Sequence, residues 1–271
     1  MMKLGIAALL AVFVAGAAFL AFFFLSPRTV ALGEKTDSMP DKADEAMAPP
    51  NSGQEPAGKE PRPSVGRRLL PDLVLTRPNE LYIADSEKTG RREIRFSTIV
   101  LNRGAGALEL FGTYDPARQA TAVFQRIFRD DGTNEVRPAG EFRYHTDHEH
   151  WHFEDFTVFE LWTHRPDGSL ETLMGTTGKI SFCIRDSRPI LSSAPRGYGK
   201  CENNVQGITA GWDDIYEAKV PRQQMELTGI PDGRYAIRYL VDPDDRILEA
   251  SESNNFLVMF VEITGYEVRA L

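Results

Sequence analysis

An all-β, β-sandwich-like domain over residues 69–271 is the fold class this sequence predicts. Three features carry that expectation. Short runs of β-branched and aromatic residues recur from residue 69 onward, Gly/Pro/Asp turns separate them, and no convincing amphipathic helical period follows residue 25.

Taken in order, residues 1–32 hold an uninterrupted apolar run from 4 to 25, long enough as a helix to cross a hydrocarbon core about 30 Å thick. The run exceeds the usual signal-peptide core, and the small-residue pattern after it is poor, so an uncleaved signal anchor is favoured over a cleaved signal peptide. Either reading exports the rest of the chain, and no cysteine follows the run to carry a lipid. Residues 33–68 are rich in Pro, Glu, Asp, Lys, Ala and Ser, and they lack the apolar surface that would offset their ordering entropy. They read as a disordered Pro-rich linker.

The domain follows. Strands are expected at 72–76, 93–101, from 107 to 111, at 122–129, 156–162, 179–184, 224–227, 235–241 and 256–263. Turns are expected at Asn102-Arg-Gly-Ala-Gly106, Asp130-Asp-Gly132, Pro166-Asp-Gly168, Pro231-Asp-Gly233 and Asp242-Pro-Asp-Asp245. The formal net charge of −8 argues against nucleic acid, which needs clustered cations, and an acidic surface could steer cationic amines. In an exported chain the two cysteines, Cys183 and Cys201, are expected to form a disulfide worth about 3 kcal/mol.

All five histidines fall between His145 and His164. Alternate strand residues share a face, so His148, His150 and His152 are expected to project together as a facial set with open coordination positions. His145 falls out of phase with them, and a bend at residues 146–147 would be needed to bring it in. Imidazole suits copper, zinc, iron or nickel, and copper binds tightest of the divalent series.

The segment His148-Glu-His-Trp-His-Phe-Glu-Asp-Phe156 resembles the copper motif of the lysyl oxidase family. Gly178-Lys-Ile-Ser-Phe-Cys-Ile-Arg-Asp186 is similar to the segment bearing that family's cofactor lysine. Gln206-Gly-Ile-Thr-Ala-Gly-Trp-Asp-Asp-Ile-Tyr216 is similar to the one bearing its cofactor tyrosine. Met225-Glu-Leu-Thr-Gly-Ile-Pro-Asp-Gly-Arg-Tyr235 and Leu248-Glu-Ala-Ser-Glu-Ser-Asn-Asn255 continue the likeness in order, over nearly all of residues 70–264.

The resemblance implies copper on the three histidines and a lysine tyrosylquinone made from Lys179 and Tyr216. It implies oxidative deamination of primary amines, peptidyl lysine or small amines, to aldehydes, with O₂ consumed and H₂O₂ and NH₃ released. It also implies calcium among Asp72, the Leu73 carbonyl, Glu249, Asn254 and Asn255, although Ser251 stands where the family often has Asp; an Asx-type turn is the alternative there. Val158 stands where animal members carry a histidine discussed as a base, leaving Asp213, Asp214 and Glu154 as candidates. The expected location is extracytoplasmic, with membrane contact through the N-terminal helix. Two other readings stay open: a non-catalytic metal-binding β-sandwich that binds a partner or polymer, and a zinc hydrolase on the same histidines.

Overall fold

A computed structural model describes residues 65–193 and 195–271; the expected membrane helix and most of the linker lie outside the described residues. The strands run β1 (Arg68–Leu69), β2 (Leu73–Thr76), β3 (Leu81–Asp85), β4 (Arg92–Phe96), β5 (Thr98–Asn102), β6 (Leu108–Asp115), β7 (Ala120–Arg129) and β8 (Asn134–His145). They continue with β9 (His150–His164), β10 (Leu170–Phe182), β11 (Arg188–Pro189), β12 (Val205–Ile208) and β13 (Trp212–Tyr216). The last are β14 (Gln224–Glu226), β15 (Gly233–Val241), β16 (Phe256–Thr264) and β17 (Glu267–Ala270). No helix occurs among the described residues, so the all-β expectation holds.

The strands form a ten-stranded sheet ordered β12-β6-β7-β8-β9-β15-β16-β17, with β1 on β7 and β10 on β9. A four-stranded sheet (β11-β13-β5-β2) and a three-stranded sheet (β14-β4-β3) accompany it. All three bury apolar side chains in one core: Leu73 and Val100, Ile94 and Phe96, and Phe153, Phe159 and Tyr239. Phe96 of the small sheet meets Phe159 and Tyr239 of the large one edge to face, at 4.8 and 5.1 Å between centroids.

Three features depart from expectation. The single strand over 93–101 is two, β4 and β5, in different sheets. At the crossing, the Ser97 hydroxyl accepts the Asn79 and Glu80 amides and donates to Asn79 Oδ1, satisfying the polar groups that the switch frees. β5 is buried along its whole length, which is why its apolar residues crowd instead of alternating. Strand β8 was not expected, because Pro138 and Gly140 interrupt its pattern. There the register jumps from Val123↔Gly140 to Phe124↔Pro138, a bulge that turns Ala139 into the core.

The third change bears on the histidines. The chain between β8 and β9 makes a turn over residues 146–149, so His148 lies in the turn and only His150 and His152 lie on the strand. The expectation of one strand carrying all three is therefore corrected. Glu149 adopts a left-handed φ of 57°, and the His148 and Glu149 amides both donate to the His145 carbonyl, 3.2 and 2.8 Å away.

Candidate functional site

The turn does by curvature what strand alternation was expected to do. The potential ligand atoms of His148, His150 and His152 all lie within 4.8 Å of one another. His152 is the innermost, 3% exposed, with ring centroids of His148 and His150 at 4.9 and 4.8 Å. The Nε2 atoms of His150 and His152 approach to 2.9 Å, while His148 Nε2 and His152 Nδ1 are buried without a partner. Burial pushes the His152 imidazole down to about 2, helped by the neighbouring His145, His150 and His148; burial also lowers His148 and His150. Neutral, convergent imidazoles with unsatisfied buried nitrogens fit a divalent transition metal.

His145, at the end of β8 and opposite His150 in register, stacks on His152 at 4.3 Å and bonds Glu154 Oε1 through Nε2 at 2.7 Å. The sequence pattern put it out of phase, and the turn brings it in as a packing wall. The same pairing commits Glu154, one of the candidate bases.

A cavity of about 620 Å³ opens on the histidines, and Tyr216 lines it with them. Tyr216 ends β13 and stacks on Phe182 at 4.0 Å. Its hydroxyl lies 2.7 Å from Asp214 Oδ2 and also within bonding distance of the Cys183 carbonyl, so its one proton has two alternative acceptors. The disulfide Cys183–Cys201 forms as expected, with Cα atoms 5.3 Å apart. Because the Cys201 carbonyl accepts the Trp151 amide, the bridge links the Tyr216 anchor to the histidine strand. Of the three candidate bases only Asp214 touches the tyrosine. Asp213 is bound by Arg188 at 2.8 Å. Burial raises Asp214 to about 7 against the lowering pull of the Tyr216 hydroxyl, and burial and Asp214 together raise Tyr216 well above its usual range.

Lys179 is not among the cavity-lining residues. Its Nζ pairs with Asp244 Oδ2 at 2.7 Å, and the same oxygen takes Arg246 at 2.7 Å. Its Cα partner on β9 is Val158. The β9–β10 register breaks between Thr176 and Lys179 and again between Ile180 and Phe182, and Gly178 is left-handed at φ 66°. The lysine-bearing segment thus sits between two of the four register breaks in its ladder.

At the other implied metal position, Asp72 Oδ1 accepts Asn254 Nδ2 (2.9 Å), and Glu249 accepts Asn255 Nδ2 (2.7 Å) and the Leu73 amide. The side-chain oxygens of Asn254 and Asn255 are then buried and unpartnered. Burial pushes Glu249 up to about 8, with Glu252 and Asp242 adding to the rise. A buried, charge-starved oxygen cluster of this kind fits a hard cation better than a self-satisfied turn.

The lysyl oxidase family profile matches residues 115–270. The chain belongs to the lysyl oxidase family. It is 26% identical over 228 residues to the protein-lysine 6-oxidase of Rattus norvegicus, covering 79% of this chain and 52% of that protein. It is 27% identical to lysyl oxidase homolog 1 of Homo sapiens, over 82% of this chain and 40% of that protein. With the protein-lysine 6-oxidase of Sus scrofa the identity is 27%, over 74% of this chain and 80% of the relative. The chain thus spans about half the length of the rat relative. The matched region contains the three histidines, Lys179, Tyr216 and the disulfide, whereas Asp72 and Leu73 precede it.

Proposed function

We propose that this chain is an extracytoplasmic, copper-dependent amine oxidase that converts primary amines, peptidyl lysine or small amines, to aldehydes. In balance, R–CH₂–NH₂ + O₂ + H₂O gives R–CHO + NH₃ + H₂O₂. The observation that carries this reading is the Tyr216 side chain, held by a buried carboxylate in the same cavity as three neutral imidazoles. His148, His150 and His152 would hold the copper, and Lys179 and Tyr216 would supply the quinone. Together those groups provide an electron sink that passes two electrons from amine to O₂. Asp214 keeps the phenol oriented and can take its proton. Phe182 shields one ring face, and the disulfide fixes the carbonyl that receives the hydroxyl. The disulfide also agrees with an oxidising compartment, and calcium on the Glu249 cluster is the proposed structural cation.

Coupling requires Lys179 to leave Asp244, an exposed ion pair of the kind worth about 0–1 kcal/mol, so the pair is a weak restraint. A second reading draws on the same pair: with Lys179 turned to Asp244, the domain would bind metal and a partner without chemistry. One experiment separates them. Protein matured with copper in air should develop quinone absorbance and a Lys–Tyr mass change, both lost in Tyr216→Phe. Copper bound, with no peroxide from any primary amine, would sink the oxidase.

The Asp214 carboxyl gives a pH signature. As pH rises through about 7 it ionises and becomes able to accept the phenol proton, so absorbance should develop faster with pH across that range. Asp214→Asn should flatten the profile and slow development at least about tenfold, since a positioned base contributes roughly 10²–10⁴. Folding linkage runs the other way. A carboxyl raised in the folded state stabilises fully below its unfolded value and loses that contribution as pH climbs through about 7, so Asp214→Asn should also soften the fall in Tm from pH 5 to 8. A variant with the parent's profile on both measurements would remove Asp214 from the mechanism.

A further inference from the structure

The cavity beside the histidines has a local charge opposite to that of the chain as a whole. Net charge is −8, yet three guanidinium groups, Arg185, Arg196 and Arg222, line the space that Tyr216 and the histidines share. The acids that line it are already committed. Asp186, 1% exposed, accepts the Gly197, Tyr198 and Thr209 amides and the Thr209 hydroxyl at 2.6–3.0 Å, and Glu217 is paired with Lys219 at 2.6 Å.

The arginines are held less closely: Arg185 lies within electrostatic range of Asp214 and Arg222 within range of Asp147, without a direct ion pair. No ion pair among the described residues involves any of the three; Arg196 donates to the Ser187 carbonyl at 3.3 Å and lies 5.9 Å from the Trp212 ring centroid. Arg222 and Arg185 line the same cavity as His148, His150 and His152. Arg222 also occupies a left-handed φ of 71°, rare for a side-chain-bearing residue. The turn that imposes it is pinned by the fully buried Gln223, whose side chain accepts the Thr98 hydroxyl at 2.6 Å. Backbone held in such a conformation at a cavity edge, with a cation lining the cavity outside any direct ion pair, is the pattern of a ligand clamp.

We propose that this cavity selects primary amines that also carry a carboxylate or similar anion, with Arg185 and Arg222 binding the anionic end while the amine faces Tyr216. The proposal rests on the amine-oxidase reading and names its substrate class: an ω-amino acid, or a lysine side chain flanked by acidic residues. The charge set works against a free diamine, whose second ammonium would meet guanidiniums that no direct ion pair neutralises. It also favours the neutral, reactive form of the amine itself. The acidic exterior is no guide to this preference, because the cavity is where the substrate is read.

The test has a binding arm and a kinetic arm, both on the full-length chain. On metal-free protein, titration with glutarate and 6-aminohexanoate should show salt-sensitive binding, and hexylamine and cadaverine should bind at least tenfold more weakly. Arg185→Gln with Arg222→Gln should weaken the two carboxylates at least tenfold, with Tm and copper content checked to confirm a folded site. On copper-matured protein, kcat/KM for 6-aminohexanoate should exceed that for hexylamine at least tenfold, and the double variant should collapse that ratio toward one. Cadaverine as the best substrate, or a ratio that the double variant leaves alone, would overturn the proposal. Peroxide from none of the amines, with copper bound, would defeat the oxidase reading instead. The metal-free titration then decides alone, and 6-aminohexanoate binding no tighter than hexylamine overturns the selectivity.

Discussion

Replacing His152 with alanine should abolish stoichiometric copper binding while leaving the fold in place. His152 is the innermost of the three imidazoles, and its ring contacts those of His145, His148 and His150. Removing an outer partner of a metal ligand costs about 10–100-fold in affinity, so removing a ligand from a set of three should cost more than that. His145→Ala takes away only the stacked wall and should stay within that outer-partner range. Stability should respond little in metal-free protein, because His152 Nδ1 is buried without a partner and its loss relieves a desolvation penalty. On the copper reading, the parent should be stabilised by copper and the variant should not. Copper content after dialysis against a chelator, read beside Tm with and without copper, checks both. A variant that keeps one copper per chain at parental affinity would show that the metal sits elsewhere.

The histidine site was half legible in the sequence. Residue types and close spacing pointed to a metal, and the structure brings the three imidazoles together in a group that could hold one. The reason offered for the convergence was wrong for His148, because nothing local announced that Glu149 would take a left-handed conformation and end the strand register. Tyr216 beside the histidines could be expected only from family resemblance, since β13 reaches the site through pairing with β5, more than 100 positions upstream. The resemblance also joined Lys179 to Tyr216, and there it runs ahead of the structure, which ion-pairs the lysine to Asp244.

The arginines were invisible to both kinds of reading. Arg185 lies inside the segment that resembles the family's lysine-bearing motif, but that resemblance gives it no role; Arg196 and Arg222 come from two further loops outside the quoted motifs, in a chain whose overall charge points the other way. Local pattern reports which face of an element is buried. It does not report which loops will meet around a cavity.

Calcium should raise the Tm of metal-free protein by about 5–10 °C, since saturation at a hundred times Kd adds about 2.7 kcal/mol and a domain of this size gains roughly 2–4 °C per kcal/mol. The site earns this expectation from its unsatisfied oxygens. Asn254 Oδ1 and Asn255 Oδ1 are buried with no donor, and both asparagines are held in place by their own amide groups, on Asp72 and Glu249. Glu249 is 4% exposed, has no cationic partner among the described residues, and faces Glu252 and Asp242. Oxygen ligands in an irregular arrangement suit calcium over magnesium, which demands a near-ideal octahedron, so magnesium should give a clearly smaller shift. Glu249→Gln keeps an acceptor for the Leu73 amide but removes the charge, and it should eliminate the calcium response. Asn254→Ala should reduce it. The consequence reaches the chemistry only indirectly, because these residues tie β2 to the loop before β16, remote in sequence from the histidines. Copper stoichiometry should therefore survive calcium removal at temperatures below the lowered Tm. A melting curve unmoved by millimolar calcium, with no binding by direct titration, would return the cluster to an ordinary turn between two strands.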